Sequence, residues 1–115
     1  VINAASEDDA VEVGRSIARN NLLKCALHGE DPNWGRVLSA IGTTDAAFEP
    51  DRLNVAINGV WVCRNGSVGD GRDLADMSPR EVHIVADLAE GSETAVIRAN
   101  DLTADYVHEN SAYSS

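Results

Sequence analysis

An α+β domain is expected across residues 1–115, with two helices packed on a mostly antiparallel sheet of four or five strands. Three stretches carry that reading. "DAVEVGRSIA" places Ala10, Val13, Ile17 and Ala18 on one stripe at helical spacing. "EDPNWGRVLSAIG" holds a proline near the start and a glycine at the end of a second helical pattern. "LNVAINGVWVC" sets two strand-like runs around Asn58-Gly59, a dipeptide that accepts the positive φ angles of a tight hairpin turn. Helices followed by hairpin-connected strands define the class.

The first helix starts at Ser6, whose hydroxyl can cap free backbone N–H groups, and Glu7, Asp8 and Asp9 favour the positive end of its dipole. Arg15 and Arg19 lie toward the opposite end, and Asn20-Asn21 breaks the pattern. Gly14, beside the apolar stripe, leaves room for close packing. Leu22 to Leu27 is a short apolar run in which periodicity does not separate strand from helical turn, and it leans to strand. In the second helix Asp31 is expected at the N-cap and Pro32 at the first helical position, with Trp34, Val37, Leu38 and Ile41 sharing a face. The hairpin follows a polar loop through Pro50. Gly66 to Pro79 then reads as loop. "REVHIVADL" alternates, with Val82, Ile84, Ala86 and Leu88 on one face and Glu81, His83 and Asp87 on the other. "TAVIRA" and "DYVH" are further strand candidates before the polar tail "ENSAYSS".

A formal charge of −10, from 19 carboxylates against 9 Lys and Arg, repels phosphate backbones, so nucleic acid is not an expected partner. No apolar run approaches the length of a bilayer span, so no membrane partner is expected, and no secretory leader pattern opens the chain. A cytoplasmic location is expected. Cys25 and Cys63 lack the density and spacing of a disulfide scaffold or a structural zinc site, and both are read as reduced and buried. A first residue of Val rather than Met points to a missing upstream segment.

Local motifs for chemistry are few. The aspartates between Gly66 and Asp76 lack the ordered Asp-x-Asp-x-Asp-Gly pattern ending in glutamate, so a solvated loop is expected there rather than calcium. His28, His83 and His108 lack paired spacing for a metal, and there is no Gly-x-Ser-x-Gly elbow. Neither metal nor cofactor is expected. The His28–Arg36 stretch, "HGEDPNWGR", could hold a carboxylate at a helix N-terminus near Arg36; the structural reading makes it a capped helix with Arg36 paired to Glu30 or Asp31.

Four long motifs in order, "HGEDPNWGRVLSAIG", "LNVAINGVWVCRNG", "DMSPREVHIVADL" and "NDLTADYVHENSAYSS", closely resemble the C-terminal part of the bacterial ornithine acetyltransferases, also called glutamate N-acetyltransferases. The resemblance runs from "EVGRSIARNNLLK" to the last residue. It implies the C-terminal domain of an N-terminal-nucleophile-type, self-processing enzyme in which a precursor cuts itself before a threonine to give α and β chains. The new terminal threonine takes acetyl from N-acetylornithine and passes it to glutamate in a ping-pong reaction, with its own amine as base and an oxyanion hole on the α chain. Some members of the family also accept acetyl from acetyl-CoA.

On this resemblance residues 1–115 form a single domain, the C-terminal part of a β chain, in an assembly of two α and two β chains. The Ala-Thr-Met cleavage segment, the oxyanion-hole residues and the Gly-Glu-Gly-Ala-Thr-Lys stretch are all absent, and Thr43, Thr44, Thr94 and Thr103 match none of them. No catalytic residue is therefore expected within this segment. The family's substrate-contacting asparagine and final residue fall on Asn110 and Ser115. A non-catalytic assembly or ligand-binding domain, or a related self-processing aminopeptidase, would share the architecture; "ENSAYSS" favours the acetyltransferase.

Overall fold

Ser6 adopts extended backbone and its Oγ accepts from the Asp9 N–H at 3.0 Å, which starts helix α1 at Glu7–Arg19. The computed structural model of the chain describes residues 1–71, 74–77 and 81–99, and the backbone of 104–107. Two acids of α1 reach forward: the Asp9 carboxylate accepts from Ala47 N–H and that of Glu12 from Asp45 N–H, each at 3.1 Å. They hold the loop that follows the third helix against the first.

Asn20 ends α1 and begins the next helix. Its backbone N–H donates to the Ile17 carbonyl, while its side chain accepts from the Leu23 N–H at 2.8 Å, so residues Asn21–His28 form α2. The strand expected over Leu22 to Leu27 is thus a helix, and three helices replace the two expected. The capping amide decides the outcome, because it satisfies an N–H that a strand would leave for a neighbour. α3, Trp34–Gly42, is capped by Asn33, whose side chain accepts from Arg36 N–H at 3.2 Å, rather than by Asp31. Glu30, at φ 57°, turns the chain between α2 and α3.

Strands β1 (Asn54–Ile57) and β2 (Val60–Arg64) are joined by Asn58 and Gly59 at φ 49° and 86°, the type I′ geometry expected of Asn-Gly. Val55 faces Cys63 and Ala56 faces Trp61, so Val62 is the extra residue of a β-bulge. Asn65-Gly66 repeats the turn and leads into β3 (Ser67–Val68). A Cβ at Gly66 would collide with the Pro50 carbonyl. β4 (Ile84–Asp87) pairs antiparallel with β1, which gives the order β3-β2-β1-β4.

β5 (Val96–Ala99) and β6 (Ala104–Val107) make a separate antiparallel ribbon on α1. The contact depends on Gly14, since a Cβ there would overlap the Ile97 side chain. Between the two sheets runs the N-terminal segment, with Ile2 bridged in parallel to Asp87 and Ala4 antiparallel to Glu93.

Val13, Leu23, Val37 and Ile41 from the helices meet Leu53, Val55, Ile57, Val62 and Leu88 from the sheet side, all at most 1% exposed. Each such side chain contributes roughly 1.5–3 kcal/mol on burial, and this apolar layer holds helices to sheet. No polar or charged residue is buried among the described residues.

Candidate functional site: a cleft between the helices and two sheet edges

A concavity of about 1110 Å³ lies where α1 and α2 overhang β4 and β5. Helical spacing on α2 brings Leu23 and Leu27 to the wall, with Lys24 and His28 beside them. Ile17 and Ala18 come from α1, Ile84 to Ala86 from β4, and Val96, Ile97 and Ala99 from β5. The lining is mainly apolar, and its charged or titratable side chains are those of Lys24, His28, Glu30, Glu81 and His83.

One side of the cleft is braced by Asn58. Its Nδ2 donates to the Asp76 carbonyl at 2.7 Å and its Oδ1 accepts from the His83 N–H at 2.8 Å. Its own N–H donates to the His83 carbonyl at 2.8 Å. The hairpin turn therefore fixes the segments that carry Met77 and His83 to the cleft.

His28 and His83, far apart in sequence, both reach this cleft; His108 lies outside the described residues. Among the described residues no cluster of three or more His, Cys, Asp or Glu is placed to hold a metal ion. In the glycine-rich loop Asp70 pairs with Arg64 at 3.1 Å, the Asp76 carbonyl serves Asn58, and Asp73 lies outside the described residues. Thr43 and Thr44 donate to the Ala40 and Ile41 carbonyls, each at 2.7 Å, and finish α3. Thr94 lines the cleft, and Thr103 lies outside the described residues.

In the His28–Arg36 stretch His28 and Glu30 belong to the cleft. Arg36 is exposed, and its backbone N–H donates to the Asn33 side chain that caps α3. Cys63 is buried, and its Sγ lies 3.5 Å from the Leu53 carbonyl. Burial pushes this thiol above its usual range, which keeps it protonated and unreactive. Cys25, by contrast with the expectation, is exposed, because α2 turns that position outward.

Asn110 and Ser115, the substrate residues implied by resemblance, lie outside the described residues. The last described residue, Val107, pairs with Val96 on the cleft wall. The sequence reading missed the cleft, whose walls come from residues remote in sequence. The apolar face of α2 was its one available signal.

The ArgJ family model matches residues 1–115. The chain is 83% identical over 115 residues to the arginine biosynthesis bifunctional protein ArgJ of Streptomyces coelicolor and 84% identical to that of Streptomyces avermitilis, covering 100% of this chain and 30% of each relative. The Mycobacterium tuberculosis relative of the same name is 49% identical over 115 residues, covering 100% of this chain and 28% of the relative. A 2.00 Å crystal structure of arginine biosynthesis bifunctional protein argJ from Bacillus halodurans superposes with a TM-score of 0.74 at 25% identity, over 80% of this chain and 45% of that one. No helix among the described residues is long and apolar enough to cross a membrane. The chain spans about 30% of the length of its Streptomyces relatives, and, matched over all 115 residues, it belongs to the ArgJ family.

Proposed function

We propose that the chain is the C-terminal part of the β chain of a glutamate N-acetyltransferase, which moves acetyl from N-acetylornithine to glutamate in the cytoplasm. The family match over residues 1–115 is the observation that carries this reading. The relatives' name refers to arginine biosynthesis. The same name calls the relatives bifunctional.

A threonine supplied by the rest of the polypeptide attacks the acetyl carbonyl, its own amine accepting the proton. Collapse of the tetrahedral intermediate releases ornithine, and the amine of glutamate then attacks the acetyl-threonine ester and regenerates the hydroxyl. Two α and two β chains make up the working assembly.

The contribution of this segment is to orient substrate. The amide of Asn110 offers donors and an acceptor to the α-amino and carboxylate groups that ornithine and glutamate share. Ser115 adds a hydroxyl.

The test is kinetic. Loss of a hydrogen bond to a charged group costs about 1.5–3 kcal/mol, so Asn110→Ala, or deletion of Ser115, in the family-length enzyme raises KM or lowers acetyl transfer roughly tenfold or more. Circular dichroism and thermal unfolding stay unchanged. Wild-type kinetics in both variants would remove Asn110 and Ser115 from the site.

A further inference from the structure

We propose that the cleft is a slot for one more β-strand, contributed by the residues that precede Val1 in the family-length polypeptide, parallel to β4 and antiparallel to β5. That strand would join β3-β2-β1-β4 and the β5–β6 ribbon into one continuous sheet. The inference concerns the fold and does not depend on which reaction the enzyme performs.

Val1 and Ile2 already show the pairing. Ile2 N–H donates to the Ala86 carbonyl at 2.9 Å, and Leu88 N–H donates to the Ile2 carbonyl at 3.1 Å, a parallel pattern. On the opposite side Val1 N donates to the Ala95 carbonyl at 3.0 Å and the Val1 carbonyl accepts from Ala95 N–H at 3.1 Å, a closely spaced antiparallel pair. The N-terminal segment is therefore a strand seated between β4 and β5 at one end of the cleft.

Both neighbouring edges continue beyond it. Backbone groups alternate sides along a strand, so Ile97 and Ala99 present theirs in the direction of Ala95, toward the slot, while Val96 and Arg98 face β6. On β4, Val85 and Asp87 face β1, and the Ile84 carbonyl and Ala86 N–H face the slot. Among the described residues neither edge has a backbone partner there beyond those made by Val1 and Ile2. Two open edges facing one apolar cleft call for a single strand that serves both, since unpaired edge groups are costly once buried.

The register follows from Ile2↔Asp87 and Val1–Ala95. The residue immediately upstream of Val1 lies opposite Val96 on one side and Val85 on the other, and the next one upstream lies opposite Ile97. Val1 packs on the core, so by strand alternation the second and fourth residues upstream face the same layer, with Ile17, Leu23 and Leu27. Those two positions are expected to be apolar. The family relatives supply the length, since this chain spans 30% of theirs.

Amide hydrogen exchange on the unsubstituted family-length protein is the first test, with Ile97, Ala99 and Ala86 as the reporters. Exchange roughly a thousandfold slower than in an unstructured peptide is expected. The second test introduces cysteines at Val96 and immediately upstream of Val1, in a Cys25→Ser background. An antiparallel pair without mutual hydrogen bonds has Cα atoms about 4.5 Å apart, within disulfide range. An intrachain disulfide under mild oxidation, with none when Arg98→Cys replaces Val96→Cys, supports the strand and its register. Fast exchange at Ile97 and Ala99 overturns the proposal. So does slow exchange without the intrachain link, which means another segment fills the slot, or a link formed only between chains, which means a second copy does.

Discussion

Replacing Asn58 by alanine is expected to destabilise the chain by about 3 kcal/mol. Its side chain makes two hydrogen bonds, to the Asp76 carbonyl at 2.7 Å and from the His83 N–H at 2.8 Å, each contributing on the order of 1 kcal/mol. Its backbone sits at φ 49°, where a residue with a Cβ and no local hydrogen-bonding group costs about 1 kcal/mol more. Asn58→Gly separates the two effects, since it loses the same bonds while tolerating the positive φ, so a loss of about 2 kcal/mol is expected for it. Urea unfolding followed by Trp34 and Trp61 fluorescence measures both. At roughly 4 °C per kcal/mol, Asn58→Ala lowers Tm by about 12 °C. An Asn58→Ala protein within about 1 kcal/mol of wild type, or a glycine variant less stable than the alanine one, would refute the brace.

Gly14→Ala pushes a methyl group into Ile97 and loosens the β5–β6 ribbon from α1, at a cost of about 1–3 kcal/mol. Combining it with Ile97→Ala recovers part of that loss, and a double-mutant cycle in urea measures the coupling. Iodoacetamide labels Cys25 in the folded chain and Cys63 only after unfolding, as peptide mass spectrometry can show. The folded-state value of Cys63 is raised, so the stability its protonated thiol contributes is fully present below the unfolded value, near 9.0, and is lost as pH rises through the higher folded value. Across that alkaline window stability falls by at most about 1.4 kcal/mol per pH unit from this group, and Cys63→Ala removes that part of the slope in urea titrations.

Much of this architecture was legible because short-range chemistry determines it. Asn58-Gly59 formed the expected turn, since few other residues accept two successive positive φ angles. Val37 and Ile41 were buried on the expected face of α3, and Ala86 and Leu88 on the expected face of the β4 segment. α2 was misread because six apolar-rich residues carry no decisive period; Asn20, taken as a breaker, is also a cap. The error carried over to Cys25, whose exposure follows from helical rather than strand geometry. Asp31 gave way to Asn33 as the cap of α3, a difference of two residues that local composition does not resolve. The N-terminal strand escaped notice because Val1 to Ala4 has no alternation and its partners lie more than eighty residues away. Similarly, no local pattern announces a cleft assembled from α1, α2, β4 and β5. Asn110 and Ser115 came from resemblance alone, because a polar tail has no physical signature that separates a binding site from a frayed end.

The central claim is most directly tested by the denatured intact mass of the family-length protein, before and after incubation with N-acetylornithine. Two polypeptides are expected, one beginning at threonine and containing residues 1–115. That polypeptide gains the mass of one acetyl group with N-acetylornithine and loses it when glutamate is added. A single uncleaved chain, or a cleaved chain that never carries acetyl, would contradict the acetyl-threonine mechanism and leave this segment as a binding or assembly domain.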